Sequence, residues 1–371
     1  HGAGRSTGSD GCVASMRVRT PLVSVVVRLR NNAESIQRAL ESVLAQGLDS
    51  FEVIVVDCDS RDRSADIVDK LAERDIRVDS LHSDSTSSSA AYNLALAHAR
   101  GTYITFIDGA SWFAPHALGD ALDFMQDSYL DLLLFGISVD SPKVDGGIFS
   151  TELSEPTHVF VSQHEFRSNA WRLFEAGQMA VVSGKLFVRS RVERLGLRFS
   201  EISCGEQGFM ARYVRDIERV GVFGAVTVHV PSAATPELGQ GDYATLPSRC
   251  DRHFELMLDL YHHWGLDGDP VSMDVIRNRY LERVVACIGA VCSPACDLPP
   301  EEKHRIVVDL IGSEHVRLAA SVTKKPRSMM VSAMSIPIKA QNVKLAMGGA
   351  AVMTRLFGAD AGLPLSLDRR A

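Results

Sequence analysis

The sequence predicts an α/β fold: a mostly parallel sheet flanked by helices, followed by a C-terminal helical region. Three observations carry this expectation. The runs VSVVV (23–27), FEVIVV (51–56) and YITFI (103–107) are short, rich in β-branched residues and mostly apolar, as strands buried on both faces of a parallel sheet are. Segments with helical spacing separate them, and right-handed crossovers lay such helices over the sheet. Asp57 directly follows the second run and Asp108 the third, which places both carboxylates in the crevice at the sheet's carboxyl edge, where open α/β sheets bind ligands.

Taken in order, residues 31–45 have apolar positions at Ile36, Leu40, Val43 and Leu44, a helical spacing, with Gly47 as the stop. A second helix is expected over 64–72, after the turn and cap formers Ser60 and Asp62. A short strand at 76–78 precedes the serine run SDSTSSS (83–89), which leads into a helix over 90–99 closed by Gly101. A helix at 115–125 and a strand at 130–135 follow the strand that delivers Asp108. Residues 139–156 are turn-rich and hold Gly146-Gly147, so a loop or a mixed-sheet excursion is expected there. Helices at 166–174, 190–195 and 207–214 and strands at 186–188 and 222–230 complete a first domain, 16–230. Prolines and glycines at 231–249 read as a linker or an acceptor lid, and helical periodicity at 254–261, 273–288 and 301–311 marks a separate accessory region, 250–320. Residues 1–15, Gly/Ser-rich and without periodicity, read as an expression-tag remnant ahead of a native start at Met16.

Composition narrows the function. With 371 residues, 46% of them hydrophobic, the chain can bury a large core. A net charge of -7, spread along the sequence, argues against a nucleic-acid surface. Seven cysteines without framework spacing point to a reducing cytoplasm. Cys287, Cys292 and Cys296 match no structural zinc spacing and read as buried thiols. No run approaches the length of about 18 apolar residues that a membrane span needs, and no signal-peptide pattern is read. The last segment, 321–371, is nevertheless basic: eight Lys/Arg stand against Asp360 and Asp368, with five methionines interspersed. It reads either as a basic terminal helix packed on its own domain or as a peripheral contact with an anionic membrane.

The motifs LVSVVVRLRNNAESIQRALESVLAQ (22–46), FEVIVVDCDSRDRS (51–64), AYNLALAHARGTYITFID (91–108), GKLF (184–187), LGLRF (195–199) and GEQ (205–207), in that order and spacing, resemble family 2 glycosyltransferases of the GT-A fold, in particular bacterial polysaccharide and lipopolysaccharide members. The resemblance implies a Rossmann-like sheet, a nucleotide-sugar donor and a glycan or lipid-linked acceptor; the cysteines and the basic tail point to a cytoplasmic setting, peripheral at the inner face of the membrane on the second reading of the tail, and a homo- or hetero-oligomer stays open. The resemblance places donor-binding residues at Arg28, Arg30, Asn31, Asp57, Asp59, Tyr92, Asn93, Asp108 and Lys185. It also places a catalytic base at Glu206, and Gln207 with His229 on the acceptor side.

Several positions depart from the family pattern. The usual Asp-x-Asp is Asp108-Gly109-Ala110, so a manganese or magnesium ion has one carboxylate here instead of two. Arg28 and Arg30 stand where a proline and a base-stacking tyrosine are usual, Cys58 follows Asp57 in place of a second aspartate, and Tyr92 replaces an arginine. The usual Glu-Asp pair is Glu206-Gln207, and glutamine cannot take a proton. Two readings stay open at this point. In one, an active, inverting transferase uses guanidinium groups in place of a metal. In the other, a degenerate transferase keeps the fold as a nucleotide- or glycan-binding scaffold. A dinucleotide oxidoreductase is disfavoured, because the loop RLRNNAE has no glycine to bring backbone against a pyrophosphate.

Overall fold

The computed structural model describes residues 20–142, 146–231, 243–323, 326 and 328–357. The tag-like 1–15 segment, most of the 231–249 linker and the end of the basic tail lie outside the described residues.

The first half alternates as the sequence predicts: β1 (Val23–Leu29), α1 (Ile36–Leu44), β2 (Phe51–Cys58), α2 (Ser64–Ala72), β3 (Val78–Ser83), α3 (Ser88–His98) and β4 (Tyr103–Asp108). Alternation along the strands feeds two cores. Val23, Val25 and Val27 of β1, with Val53 and Val55 of β2, face one side with α1, while Val26, Ile54 and Val56 face the other with α3. Ile36, Ala39, Leu40 and Val43 are the buried face of α1, at the spacing an amphipathic helix needs.

The chain continues through β5 (Trp112–Phe113), α4 (Ala117–Asp127), β6 (Leu132–Pro142), β7 (Ile148–Leu153), β8 (His158–Phe160), α5 (Gln163–Glu175), β9 (Lys185–Val188), α6 (Arg189–Arg194), α7 (Gly205–Val214) and β10 (Val220–Pro231). The strands of the described residues form one sheet in the order β3-β2-β1-β4-β9-β6-β10-β5, with β7 added to β6 and β8 to β10. The β1–β4 set is parallel, whereas β9 runs antiparallel to both β4 and β6. The excursion expected at 139–156 is a hairpin: β6 runs on to Pro142 and β7 returns along it.

Among the described residues there follow α8 (Leu246–His263), α9 (Pro270–Cys292), α10 (Pro300–Gly312), α11 (Glu314–Val322), α12 (Met329–Lys339) and α13 (Val343–Phe357). Helix α9 is buried nearly all round, and α5, α8 and α10 to α13 pack against it. The helical region is not set apart from the sheet. One continuous core runs from Phe106 and Phe209 through Tyr261 and Tyr280 to Met334. The expected linker is also shorter than 231–249, because α8 starts at Leu246 with its proline in the first turn, where no N–H is needed.

The basic tail divides accordingly. Val331, Met334, Ile338, Ala346 and Ala350 are buried against the core, which favours the packed reading for α12 and α13, while Met329, Ile336, Leu345 and Val352 are exposed. Lys324, Lys325, Arg327, Arg369 and Arg370 lie outside the described residues, and no helix among those described is long and apolar enough to cross a membrane. Cys287 and Cys296 are buried and Cys292 half-buried, all as free thiols.

Candidate active site

Strand register puts Arg28 between Val56 of β2 and Asp108 of β4, at the carboxyl edge of the sheet. Its guanidinium is paired with the Asp108 carboxylate and donates to Ser88 Oγ at 3.1 Å, where α3 begins. Burial works against the Arg28 charge, but Asp108, with Tyr92 and Glu206, more than offsets it and strengthens the protonated form. Asp108 thus enters the crevice already carrying a cation. Its second oxygen accepts from the Ala110 N–H at 3.2 Å.

The loops after β1 and β2 are joined to each other by short bonds. Asn31 N donates to Ser60 Oγ at 2.9 Å, Asn32 N to Ser64 Oγ at 2.8 Å, Ala33 N to Asp62 Oδ2 at 3.0 Å, and Arg61 N to Asn31 Oδ1 at 2.8 Å. Asn31 and Asp59 take left-handed backbone there, with φ of 52° and 55°, which explains why α1 begins at Ile36 and not at 31. Arg30 and Asp59 are exposed at this rim, and no side-chain ion pair engages Arg30 among the described residues. Below them Asp57 is buried. Its Oδ2 accepts from Ser60 N at 3.2 Å, and its Oδ1 is buried without a hydrogen-bond partner among the described residues. A buried carboxylate oxygen left unpaired is costly, and a ligand donor would relieve that cost.

Glu206 arrives from the other half of the chain. Cys204 and Gly205 both take left-handed backbone, φ 62° and 53°, and turn the chain into α7 so that Glu206 sits in its first turn. Its Oε2 accepts from Val182 N at 2.8 Å. Burial raises its pKa above the ordinary carboxyl range, opposed by the Val182 bond and by the charges of Arg28 and Lys185, and supported by that of Asp108. Lys185, on β9, is 1% exposed, and its Nζ donates to Ser183 O at 3.0 Å. Burial lowers its pKa to about 7, against the pull of Glu206. Tyr92 is buried on α3 with its ring edge-on to Phe106 at 5.1 Å, and burial, with Glu206, raises its phenol well above the ordinary value. Arg28, Tyr92, Asp108, Lys185 and Glu206 therefore form one electrostatic group.

The remaining expected residues Asn93, His229 and Gln207 stand outside this group. Asn93 does not face the crevice with a free amide: Nδ2 donates to Phe199 O and Oδ1 accepts from Phe199 N, both at 2.8 Å, so it ties α3 to the 195–199 segment. His229 pairs through Nδ1 with Asp140 Oδ2 at 2.9 Å and stacks on Trp112, whose ring also lies 3.3 Å from the Arg38 guanidinium. Hydrogen bonds from Ser150, Ser138 and His229 outweigh burial and hold Asp140 below the ordinary range. Gln207 turns to a cleft between α7 and the accessory helices. The sequence reading missed His82, Ser88 and the Val182 N–H. His82 is the register partner of Asp57, with Nδ1 4.0 Å from Asp57 Oδ2. Only a strand placed at 78–83 instead of 76–78 would have revealed it.

The residues fit a metal cage poorly. Asp108 is the one carboxylate of its segment, Arg28 already engages it, and no group of three or more His, Cys, Asp or Glu among the described residues could hold an ion.

A sheet edge with paired loops, a base candidate on the following helix and an accessory helical region define a glycosyltransferase of the GT-A class. Residues 24–199 match the family model "Glycosyl transferase family 2", and this domain belongs to that family. The chain is similar to an uncharacterised glycosyltransferase, EpsJ, of Bacillus subtilis, with 26% identity over 82% of this chain and 87% of that protein. A putative glycosyltransferase, EpsH, of the same organism is 28% identical over 49% of this chain and 51% of that protein, so the chain spans about half of EpsH. In fold it is similar to Staphylococcus aureus TarS 1–349, solved in complex with UDP-GlcNAc, with a TM-score of 0.58 at 18% identity over 90% of this chain and 91% of that one. The protein is thus an enzyme of sugar transfer.

Proposed function

We propose that the enzyme moves a sugar from a nucleotide-sugar donor to a hydroxyl of a glycan or lipid-linked acceptor, with inversion at the anomeric carbon. The observation that carries this reading is the gathering of Arg28, Tyr92, Asp108, Lys185 and Glu206 at one end of the sheet, with Glu206 buried enough to hold its pKa up. A carboxylate of raised pKa is a better base near neutral pH. Glu206 takes the proton of the acceptor hydroxyl as that oxygen bonds to the anomeric carbon, and the bond to the nucleoside diphosphate breaks on the opposite side. The unpaired Asp57 Oδ1 accepts a hydrogen bond from the nucleotide base, and Asn31 and Asp59 border the ribose. Arg30, exposed and without an ion pair among the described residues, meets the diphosphate, with Arg28 behind it through its pair with Asp108. Lys185, with the Val182 N–H and Arg28, opposes the rise in the Glu206 pKa, and Gln207 and His229 face the acceptor. Manganese or magnesium would have Asp108 as its one protein carboxylate. TarS was solved with UDP-GlcNAc, so UDP-sugars are the first donors to try. We place the enzyme in the cytoplasm, peripheral to the inner face of the membrane through the lysines of α12 and α13.

The test is donor hydrolysis over a panel of UDP-, GDP-, CDP- and dTDP-sugars, with manganese and with chelator. One donor should turn over slowly, and Glu206→Gln should slow it at least tenfold and remove the acidic limb of the pH profile. Absence of nucleotide binding at millimolar concentration by calorimetry would refute the reading in favour of a scaffold.

A further inference from the structure

Strand β3 is the edge of the sheet, and His82 near its end is the register partner of Asp57 on β2. Residues two apart on a strand share a face, and Ser80 and His82 both turn toward α2, where they meet Asp69. Asp69 Oδ1 accepts from Ser80 Oγ at 2.6 Å and lies 3.1 Å from His82 Nε2. An ionised carboxylate only accepts, so the proton of that second bond sits on Nε2. The other ring nitrogen, Nδ1, lies 4.0 Å from Asp57 Oδ2. Among the described residues, Asp57 from β2 and Asp69 from α2 are the carboxylates within ion-pair distance of the ring.

Asp57 and His82 do not bond to each other. At 4.0 Å the two atoms are beyond hydrogen-bond reach, and Asp57 Oδ1 is buried without a hydrogen-bond partner among the described residues. A lone pair on Nδ1 would be repelled by the Asp57 carboxylate it faces, whereas an N–H there is attracted. The ring that suits both neighbours therefore carries two protons and donates from both nitrogens. At the carboxyl edge of β2 and β3 a ligand thus meets an acceptor, Asp57, beside a donor, the Nδ1–H of an exposed His82.

We propose that His82 selects the nucleobase of the donor: its Nδ1–H binds a ring carbonyl while the adjacent ring N–H binds Asp57, the edge that uracil, thymine and guanine show and that cytosine and adenine do not. In cytosine a lone pair replaces the ring N–H and would face the Asp57 carboxylate, and the amino group would face the His82 N–H. Both contacts set like against like, and a site whose buried polar groups are left unpaired discriminates by roughly tenfold or more. Asp69 is a positioning residue that holds the ring through Nε2. The assignment rests on the transferase reading, in which Asp57 meets the base, and adds which bases are accepted and which side chain decides.

Calorimetry on the full chain at pH 6 tests it with UDP against CDP and GDP against ADP, pairs that differ at this edge. In whichever pair binds, the member with the N–H beside a carbonyl should bind at least tenfold more tightly. His82→Leu, at an exposed position on an edge strand, should bring that ratio below threefold. His82→Asn, whose amide nitrogen falls where Nδ1 was and still donates, should keep it above fivefold, and Asp69→Ala should lower it at least twofold. Both ligands of a pair are measured on the same protein, so a partly unfolded variant affects them alike and leaves the ratio readable. Equal binding within a pair, preference for the amino member, or selectivity that survives His82→Leu overturns the assignment and leaves the donor crevice standing. No binding by any of the four at millimolar concentration overturns it together with the transferase reading.

Discussion

Replacing Lys185 by methionine removes a buried charge at nearly constant volume, and the consequence can be worked through pH. Lys185 has a pKa lowered by burial from the ordinary 10.5 to about 7. Between those values the unfolded chain holds the proton and the native chain does not, so native stability rises with pH across that window. At about 1.4 kcal/mol per pH unit, the wild-type penalty near pH 7 is of the order of 4 kcal/mol and vanishes above the unfolded pKa. The methionine variant escapes it. It gives up the Nζ bond to Ser183 O, worth about 1 kcal/mol, and leaves Glu206 without a nearby cation. The net gain at pH 7 should be about 2–3 kcal/mol and should shrink steadily toward pH 10. Urea unfolding of both proteins from pH 6.5 to 9.5 reads this directly. Subtracting one curve from the other cancels buried groups such as Cys58 and Tyr92, whose raised pKa values lower stability as pH rises. A stability difference that stays flat across that range would refute the reasoning, since it would mean Lys185 titrates alike in both states.

Two further substitutions probe the frame around the site. Asn93→Ala removes both bonds to the Phe199 backbone and should cost about 2 kcal/mol in urea unfolding; an unchanged midpoint would free Asn93 for a role in the crevice. At Gly184, φ is +73° and an added Cβ would lie 2.5 Å from Ile137 Cδ1, so Gly184→Ala should cost about 2–4 kcal/mol. Because Lys185 is the next residue, the same variant should also shift the pH profile of donor hydrolysis; wild-type stability would show that Ile137 simply swings aside.

Much of this architecture was legible where burial is two-sided. The apolar runs of β1, β2 and β4 could be read as strands because both faces are covered, and α2 falls at 64–72 as its periodicity and cap formers require. Strand β3 escaped for the opposite reason. It is the sheet's edge, its sequence VDSLHS is mostly half-exposed, and the isoleucine that suggested a strand at 76–78, Ile76, is 98% exposed in the turn before it. The hairpin of β6 and β7 was hidden by turn-forming residues in a sheet extension that has little core to cover. Pro247 disguised the start of α8, since a proline marks a breaker in sequence but fits the first helical turn.

The site divides in the same way. Asp57 and Asp108 were visible because a residue that ends a parallel strand has a known place. The pairing of Arg28 with Asp108 spans 80 residues and arises from register. Lysine in GKLF could equally have been a solvated stem. Only the antiparallel insertion of β9 between β4 and β6 buries it.

Helix α7 is a single rod of ten residues that presents Glu206 to the crevice and Gln207, Met210 and Ala211 to the cleft. Anything that tilts or slides this rod from one side is felt on the other. Where occupancy of the cleft raises affinity for the donor, thermodynamic reciprocity requires that a bound donor raise affinity at the cleft by the same factor.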